Sequence, residues 1–162
     1  MLTVISGGQT GADRAALEAA TATEVPYGGW CPKGGWAEDM PEPPGILALY
    51  PHLRETPSRQ PSQRTDWNVR DSEALLVLVG QGGIEVSKGT LRAIQHAEAL
   101  GKSVAIVSVV EDDAEIRLRR FLKPFDNLPV CIAGPRESES PGLQGAALIV
   151  LRSALSAQAA GS

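Results

Sequence analysis

The segment Ala74-Leu75-Leu76-Val77-Leu78-Val79 constrains the fold more than any other part of the chain. Side chains on a strand alternate between two faces, so an unbroken apolar run needs cover on both, and helices on each side of a sheet are the usual cover. The flanking sequence supplies them. Leu2 to Ser6 is a short apolar run stopped by Gly7 and Gly8, and a helical pattern follows from Gly11 with Ala16, Leu17 and Ala20 on one face. Gly80, Gly82 and Gly83 end the central run, after which Ala93, Ile94, Ala97 and Leu100 mark the inner face of a helix from Gly89 to Leu100, stopped by Gly101. Val104 to Val110 reads as the next buried strand. Leu118, Phe121, Leu122 and Phe125 fall on one face of a third helix, behind the acidic first turn Glu111-Asp112-Asp113. Leu128 to Ala133 gives a further strand. Ser140-Pro141 predicts an N-cap and N1 proline for a last helix that buries Leu148, Leu151 and Leu155. Strands alternating with amphipathic helices predict an α/β fold: a three-layer, Rossmann-like domain with a mostly parallel sheet.

A chain of 162 residues is the size of one domain. Residues 1–157 are expected to form it, with a Pro/Gly-rich excursion over 26–65 and a frayed tail at 158–162. Residues 26 to 63 carry eight of the twelve prolines and predict two short strands, and Asp66 to Ser72 predicts a helical turn. With 15 Lys+Arg against 19 Asp+Glu, a net charge of -4 argues against a broad basic face for nucleic acid, so any anion must be held locally. There is no apolar run long enough for a membrane span. Cys31 and Cys131 lie far apart behind a chain that opens on a strand, which fits a cytoplasmic protein, and neither they nor His52 and His96 have the spacing of a metal site.

In such sheets ligands bind beyond the carboxyl ends of the strands. The connection Gly7-Gly8-Gln9-Thr10-Gly11 joins a strand to a helix start, where free amides favour an anion such as phosphate. Thr10 and Asp13 also have the spacing of a capping box, and Arg14 could close an anion turn with a forked contact. Gly89-Thr90 opens a second helix on the same edge, and Arg136, Glu137 and Ser138 follow the last strand. Before the central strand, Arg64, Thr65, Asn68 and Asp71 form a polar stretch in which Asp71 or Asn68 could read the donor edge of a heterocycle, with Ser72 as a cap, while Arg14, Arg64 or Arg136 could neutralise a phosphate. Lys33 lies between Trp30 and Trp36. The indoles of Trp30, Trp36 and Trp67 are read as packing groups, and Cys31 as a buried bystander.

These segments, in order, resemble the molybdenum cofactor carrier proteins, a Rossmann-like family in the lysine-decarboxylase-like nucleotide-binding superfamily. The resemblance rests on Gly7 to Gly11 with Asp13 to Leu17, Trp30 to Gly34, Glu38-Asp39, Glu55-Thr56, Arg64-Thr65, Trp67 to Val69, Asp71-Ser72, Gly89-Thr90, Ala133 to Ser138 and Pro141-Gly142. It implies a homo-oligomer, a tetramer or dimer, that binds the phosphorylated pyranopterin of molybdenum cofactor (molybdopterin) and shields it before delivery to molybdoenzyme recipients. The chain departs from the family in the loop Gln81 to Lys88 and in Arg59 to Gln63, which lacks a tyrosine. It departs from related phosphoribohydrolases in having Ala93 where they keep a glutamate. The leading expectation is therefore a binding and carrier protein and not an enzyme. One alternative is an N-glycosidase or phosphohydrolase acting on a nucleoside monophosphate, with Asp13, Asp71 or Glu137 as acid or base. The other is a nucleotide-sensing module.

Overall fold

In the computed structural model, which describes residues 1–161, the central apolar run is a strand whose six residues are all buried. Among the described residues there are seven strands: β1 (Thr3–Ile5), β2 (Tyr27–Gly28), β3 (Trp30–Cys31), β4 (Arg54–Glu55), β5 (Ala74–Val79), β6 (Ser103–Ser108) and β7 (Pro129–Ala133). Five pair in parallel in the order β2-β1-β7-β5-β6, while β3 and β4 form a separate parallel pair. The helices are α1 (Ala12–Ala22), α2 (Pro61–Arg70), α3 (Lys88–Ala99), α4 (Ala114–Leu122) and α5 (Leu143–Ala160).

Alternation along β5 sends Leu76 and Leu78 to the face covered by α1, α4 and α5, and Leu75, Val77 and Val79 to the face covered by α2 and α3. The three-layer Rossmann-like arrangement follows. Each large side chain so buried contributes roughly 1.5–3 kcal/mol. The alanine face of α1 (Ala12, Ala15, Ala16, Ala19, Ala20) is fully buried in the first of these cores. A third cluster of Leu17, Cys31, Ile46 and Leu53 fastens the proline-rich excursion to the outer side of α1.

One topological detail positions the site. The chain leaves β7 for α5 on one face, whereas it leaves the neighbouring β5 for α3 on the other. Connections diverging from adjacent strands open a crevice at their carboxyl ends.

Several expected boundaries move. The excursion ends sooner than residue 65, because α2 begins at Pro61, a proline at N1. The helical turn expected from Asp66 is the second half of that helix. The strand read as Val104 to Val110 is the sheet's edge strand β6, which leaves Ile106 37% exposed. Ser140 and Pro141 do not open the last helix. They form a turn closed by Leu143 N–H donating to the Ser140 carbonyl (3.0 Å), and Gly142, at φ 90°, is the N-cap. Glu111 to Asp113 precede α4 instead of forming its first turn. Of the tail expected to fray, residues up to Ala160 are helical, and Ser162 lies outside the described residues.

Candidate functional site

A cavity of about 620 Å³ fills the crevice beside β7 and the start of α3. Gln9 reaches it from the β1–α1 connection, Asp13 from the first turn of α1, Arg64 and Thr65 from α2, Ser87 to Thr90 from the start of α3, and Gly134, Arg136 and Glu139 from the β7–α5 connection. Of its charged lining, Arg64, Lys88, Arg92 and Arg136 face only Asp13 and Glu139. Asp66, outside the lining, pairs with Arg92 (2.7 Å) and Glu38 lies 4.0 Å from Arg136, so the cationic excess of the crevice rests chiefly on Lys88.

The start of α3 leaves two backbone donors open. Ser87, in extended conformation, is the N-cap: its Oγ accepts from the Thr90 N–H (3.2 Å) and from Thr90 Oγ1 (2.9 Å). The amides of Lys88 and Gly89 have no acceptor among the described residues. They point out of a helix terminus that carries a partial positive charge.

Arg64 is set by its neighbours. Its Nη1 donates to Asp13 Oδ2 at 2.7 Å, and the two side chains are only 11% and 7% exposed. The guanidinium lies against Gly7, where any Cβ would collide with it. Its Nε is buried with no acceptor. Gln9 is in the same condition: Oε1 accepts from the Thr10 N–H (3.0 Å) and the Glu38 N–H (2.9 Å), which fixes the amide and leaves buried Nε2 unpaired. An unpaired buried donor costs about 1–3 kcal/mol, and a ligand oxygen that satisfies it recovers that cost. Burial pushes the Asp13 carboxyl above its ordinary range, opposed by the charge and hydrogen bond of Arg64.

The expected anion turn at Gly7 to Gly11 is closed from Gly8 onward, because the amides of Gly8 to Ala12 already have internal acceptors, whereas the Gly7 amide has none among the described residues. Gly8 N–H donates to Ser6 Oγ (3.3 Å), Gln9 N–H to Asp13 (3.4 Å), Thr10 N–H to Gln9, Gly11 N–H to Gln144 (2.9 Å), and Ala12 N–H to the Pro135 carbonyl (3.3 Å). The capping box is absent too. Thr10 Oγ1 donates to Glu38 and accepts from the Glu137 N–H (3.1 Å), while Gly11 is the N-cap, with no side-chain cap bond. Arg14 closes no anion turn; it makes a forked pair with Asp39 (2.9 Å to each oxygen) and donates to the Gly8 carbonyl. Ser138 donates from both N and Oγ to Glu38 (3.3 and 2.7 Å). Burial would raise the Glu38 carboxyl, but these bonds from Thr10 and Ser138 hold it below its ordinary value.

Asn68 and Asp71 do not reach the crevice. Asn68 pairs with the backbone N–H and carbonyl of Trp30 (2.7 and 2.9 Å), and Asp71 accepts from Trp30 Nε1 (2.8 Å) and Arg70. Trp30 packs edge-on to Trp67, and Lys33 lines a different cavity. Cys31 is buried, and burial pushes its thiol up to about 11. Of the residues singled out from sequence, the crevice therefore gathers Gln9, Asp13, Arg64, Thr65, Gly89, Thr90 and Arg136. Sequence reasoning missed Ser87, Lys88 and Arg92. The signal for Ser87 was its type, a capping residue just ahead of Gly89-Thr90.

A parallel sheet covered on both faces, with a polar cavity at its switch point, defines a Rossmann-like domain. The chain belongs to the Circularly permutated YpsA SLOG family, whose model matches residues 4–155. It is similar to the crystal structure of a protein from Syntrophus aciditrophicus SB called a "putative molybdenum carrier protein", with 33% identity, 94% of each chain covered and a TM-score of 0.81. No curated protein matches the chain.

Proposed function

We propose that the chain binds the phosphorylated pyranopterin of molybdenum cofactor in the crevice and carries or stores it without transforming it. The observation that carries this reading is that Arg64 and Gln9, each with a buried donor lacking an acceptor, share one crevice lining with Lys88 and Gly89, whose amides are free. A phosphate takes hydrogen bonds from backbone amides at a helix start and from a guanidinium, and Lys88, without an ion-pair partner among the described residues, adds charge. Thr65, Thr90 and Arg136 complete the contact set, with Asp13 holding Arg64 in place. The name given to the 33% identical protein from Syntrophus supports molybdenum cofactor as the ligand.

A carrier is favoured over a hydrolase by the state of the two carboxylates in the crevice. Asp13 is tied to Arg64 and the Gln9 amide, and Glu139 Oε1 accepts from the Arg136 N–H (2.9 Å). Both are engaged with the protein's own donors, which favours a positioning role over proton transfer. Assembly as a homo-oligomer and delivery to molybdoenzyme recipients belong to the same reading. The test is anaerobic purification, with bound molybdenum and oxidised pterin measured in the protein, followed by incubation of the ligand-free protein with nucleoside monophosphates. Stoichiometric pterin with no base or phosphate release is the expected result. Turnover of a nucleotide that is lost in Asp13→Asn or Glu139→Gln refutes it.

A further inference from the structure

A second cavity, of about 570 Å³, opens inside the proline-rich excursion, and Pro61 lines both it and the crevice. A further link joins the two: the guanidinium of Arg136, in the crevice lining, lies 5.5 Å from the ring centre of Trp36, in the lining of the second cavity. Resting on the reading above, we infer that this second cavity receives a flat, uncharged heterocycle bearing an amino–oxo pyrimidine edge, while the phosphate of the same ligand lies in the crevice.

The walls are preformed. Gly34 and Gly35 adopt φ 81° and 71°, and a Cβ at Gly35 would collide with the Pro44 carbonyl oxygen, so the 33–35 turn is pressed against the 43–44 segment. The Lys33 N–H donates to the Ser58 carbonyl (3.0 Å), and the Gly34 N–H donates to Glu55 Oε1 (2.7 Å). These bonds tie three parts of the excursion together around the space. Trp36, Pro43 and Pro61 give it flat apolar surfaces of the kind on which a ring stacks.

The charges select the ring. Lys33 and Arg59 are balanced by Glu42 and Glu55, unlike the cationic excess of the crevice, so a second phosphate is disfavoured. Among the described residues Lys33, Arg59 and Glu42 have no ion-pair partner. A carboxylate accepts two N–H bonds from an amino–oxo pyrimidine edge, and a lysine or guanidinium donates to its carbonyl. Both kinds of group are present and unengaged, which a purely apolar or purely anionic guest would waste.

The test is equilibrium titration of the full chain with three probes: neopterin, its 2,4-dioxo (lumazine) counterpart, and inorganic pyrophosphate. Neopterin is expected to bind about tenfold or more tightly than the dioxo compound, the difference being hydrogen bonds to a charged acceptor. Trp36→Ala and Glu42→Gln should each weaken neopterin about tenfold and leave pyrophosphate within about twofold. Trp36→Phe, which keeps a flat ring, should retain neopterin and guards against a folding defect. Equal affinity for the two pterins, no neopterin binding, or indifference of neopterin to both Trp36→Ala and Glu42→Gln overturns the inference. If pyrophosphate binds and neopterin does not, only this inference fails. If neopterin responds to Trp36→Ala but pyrophosphate does not bind, the ring site stands and the phosphate reading of the crevice falls.

Discussion

Replacing Arg64 with Met removes one half of a buried ion pair and leaves the Asp13 carboxylate without its partner. Asp13 is 7% exposed and Arg64 11%, at 2.7 Å, so neither charge is well hydrated. Breaking such a pair from one side costs about 3–5 kcal/mol; because the cavity admits water beside Arg64, we take the lower end, about 3 kcal/mol. For a domain of this size that lowers Tm by about 6–12 °C. Asp13→Asn should cost less, since the charge it strands is the one beside the cavity. The double variant should cost about 1–3 kcal/mol less than the two single losses added together. The pH dependence has a definite sign. The Asp13 pKa is already raised from 3.8 by burial, and losing Arg64 raises it further. A raised acid favours the protonated folded form, so the penalty is absent below the ordinary carboxylate range and grows as pH climbs through the raised value. Urea denaturation of the wild type, both single variants and the double variant at pH 4.5 and pH 8 measures all of this. Additive losses, or a deficit in Arg64→Met that is the same at both pH values, would refute the coupling.

Ser87→Ala should destabilise by about 1 kcal/mol through loss of the α3 cap and also weaken pyrophosphate binding, measured by thermal melts and calorimetry. Gly11→Ala should be among the most damaging single changes, because φ is 81° and the new Cβ meets the Pro135 carbonyl; failure to recover folded protein, or a large fall in Tm, is expected. The Arg14 hydrogen bonds hold the Asp39 carboxyl below its ordinary value, so the attachment of the excursion is intact above the ordinary carboxylate range and is lost as pH falls through the depressed value. Limited proteolysis within residues 36–60 should accelerate there, and Asp39→Asn should abolish the change. Burial raises both thiols, so Cys31 and Cys131 should resist alkylation at pH 8 until the chain is unfolded.

The layered fold was legible because β5 is buried on both faces and its apolar run says so without reference to any other segment. The excursion was not, since two-residue strands such as β3 and β4 exist only through each other, and no local pattern announces them. Helix α2 was half-hidden for a related reason. Its first turns, Pro61 to Asp66, carry no apolar periodicity, so only the proline marked its start. The place of Gly89-Thr90 in the crevice lining was legible because a glycine and a hydroxyl behind a glycine-rich loop mark a helix start locally. The closure of Gly8 to Gly11 could not be seen in the same way. Its acceptors include Gln144, 133 residues away, and the donors that hold Gln9 and Asp13 in place, Glu38 N–H and Arg64 Nη1, also come from distant segments. A glycine-rich turn has the same sequence whether its amides face a ligand or the protein's own oxygens.

The most direct measurement is a crystal structure of the protein with its phosphorylated pterin, asking where the phosphorus lies. The account predicts phosphate oxygens on the amides of Lys88 and Gly89 with Arg64 alongside. Phosphate seated on Gly8 to Gly11, with Asp13 and Gln144 displaced, would contradict it.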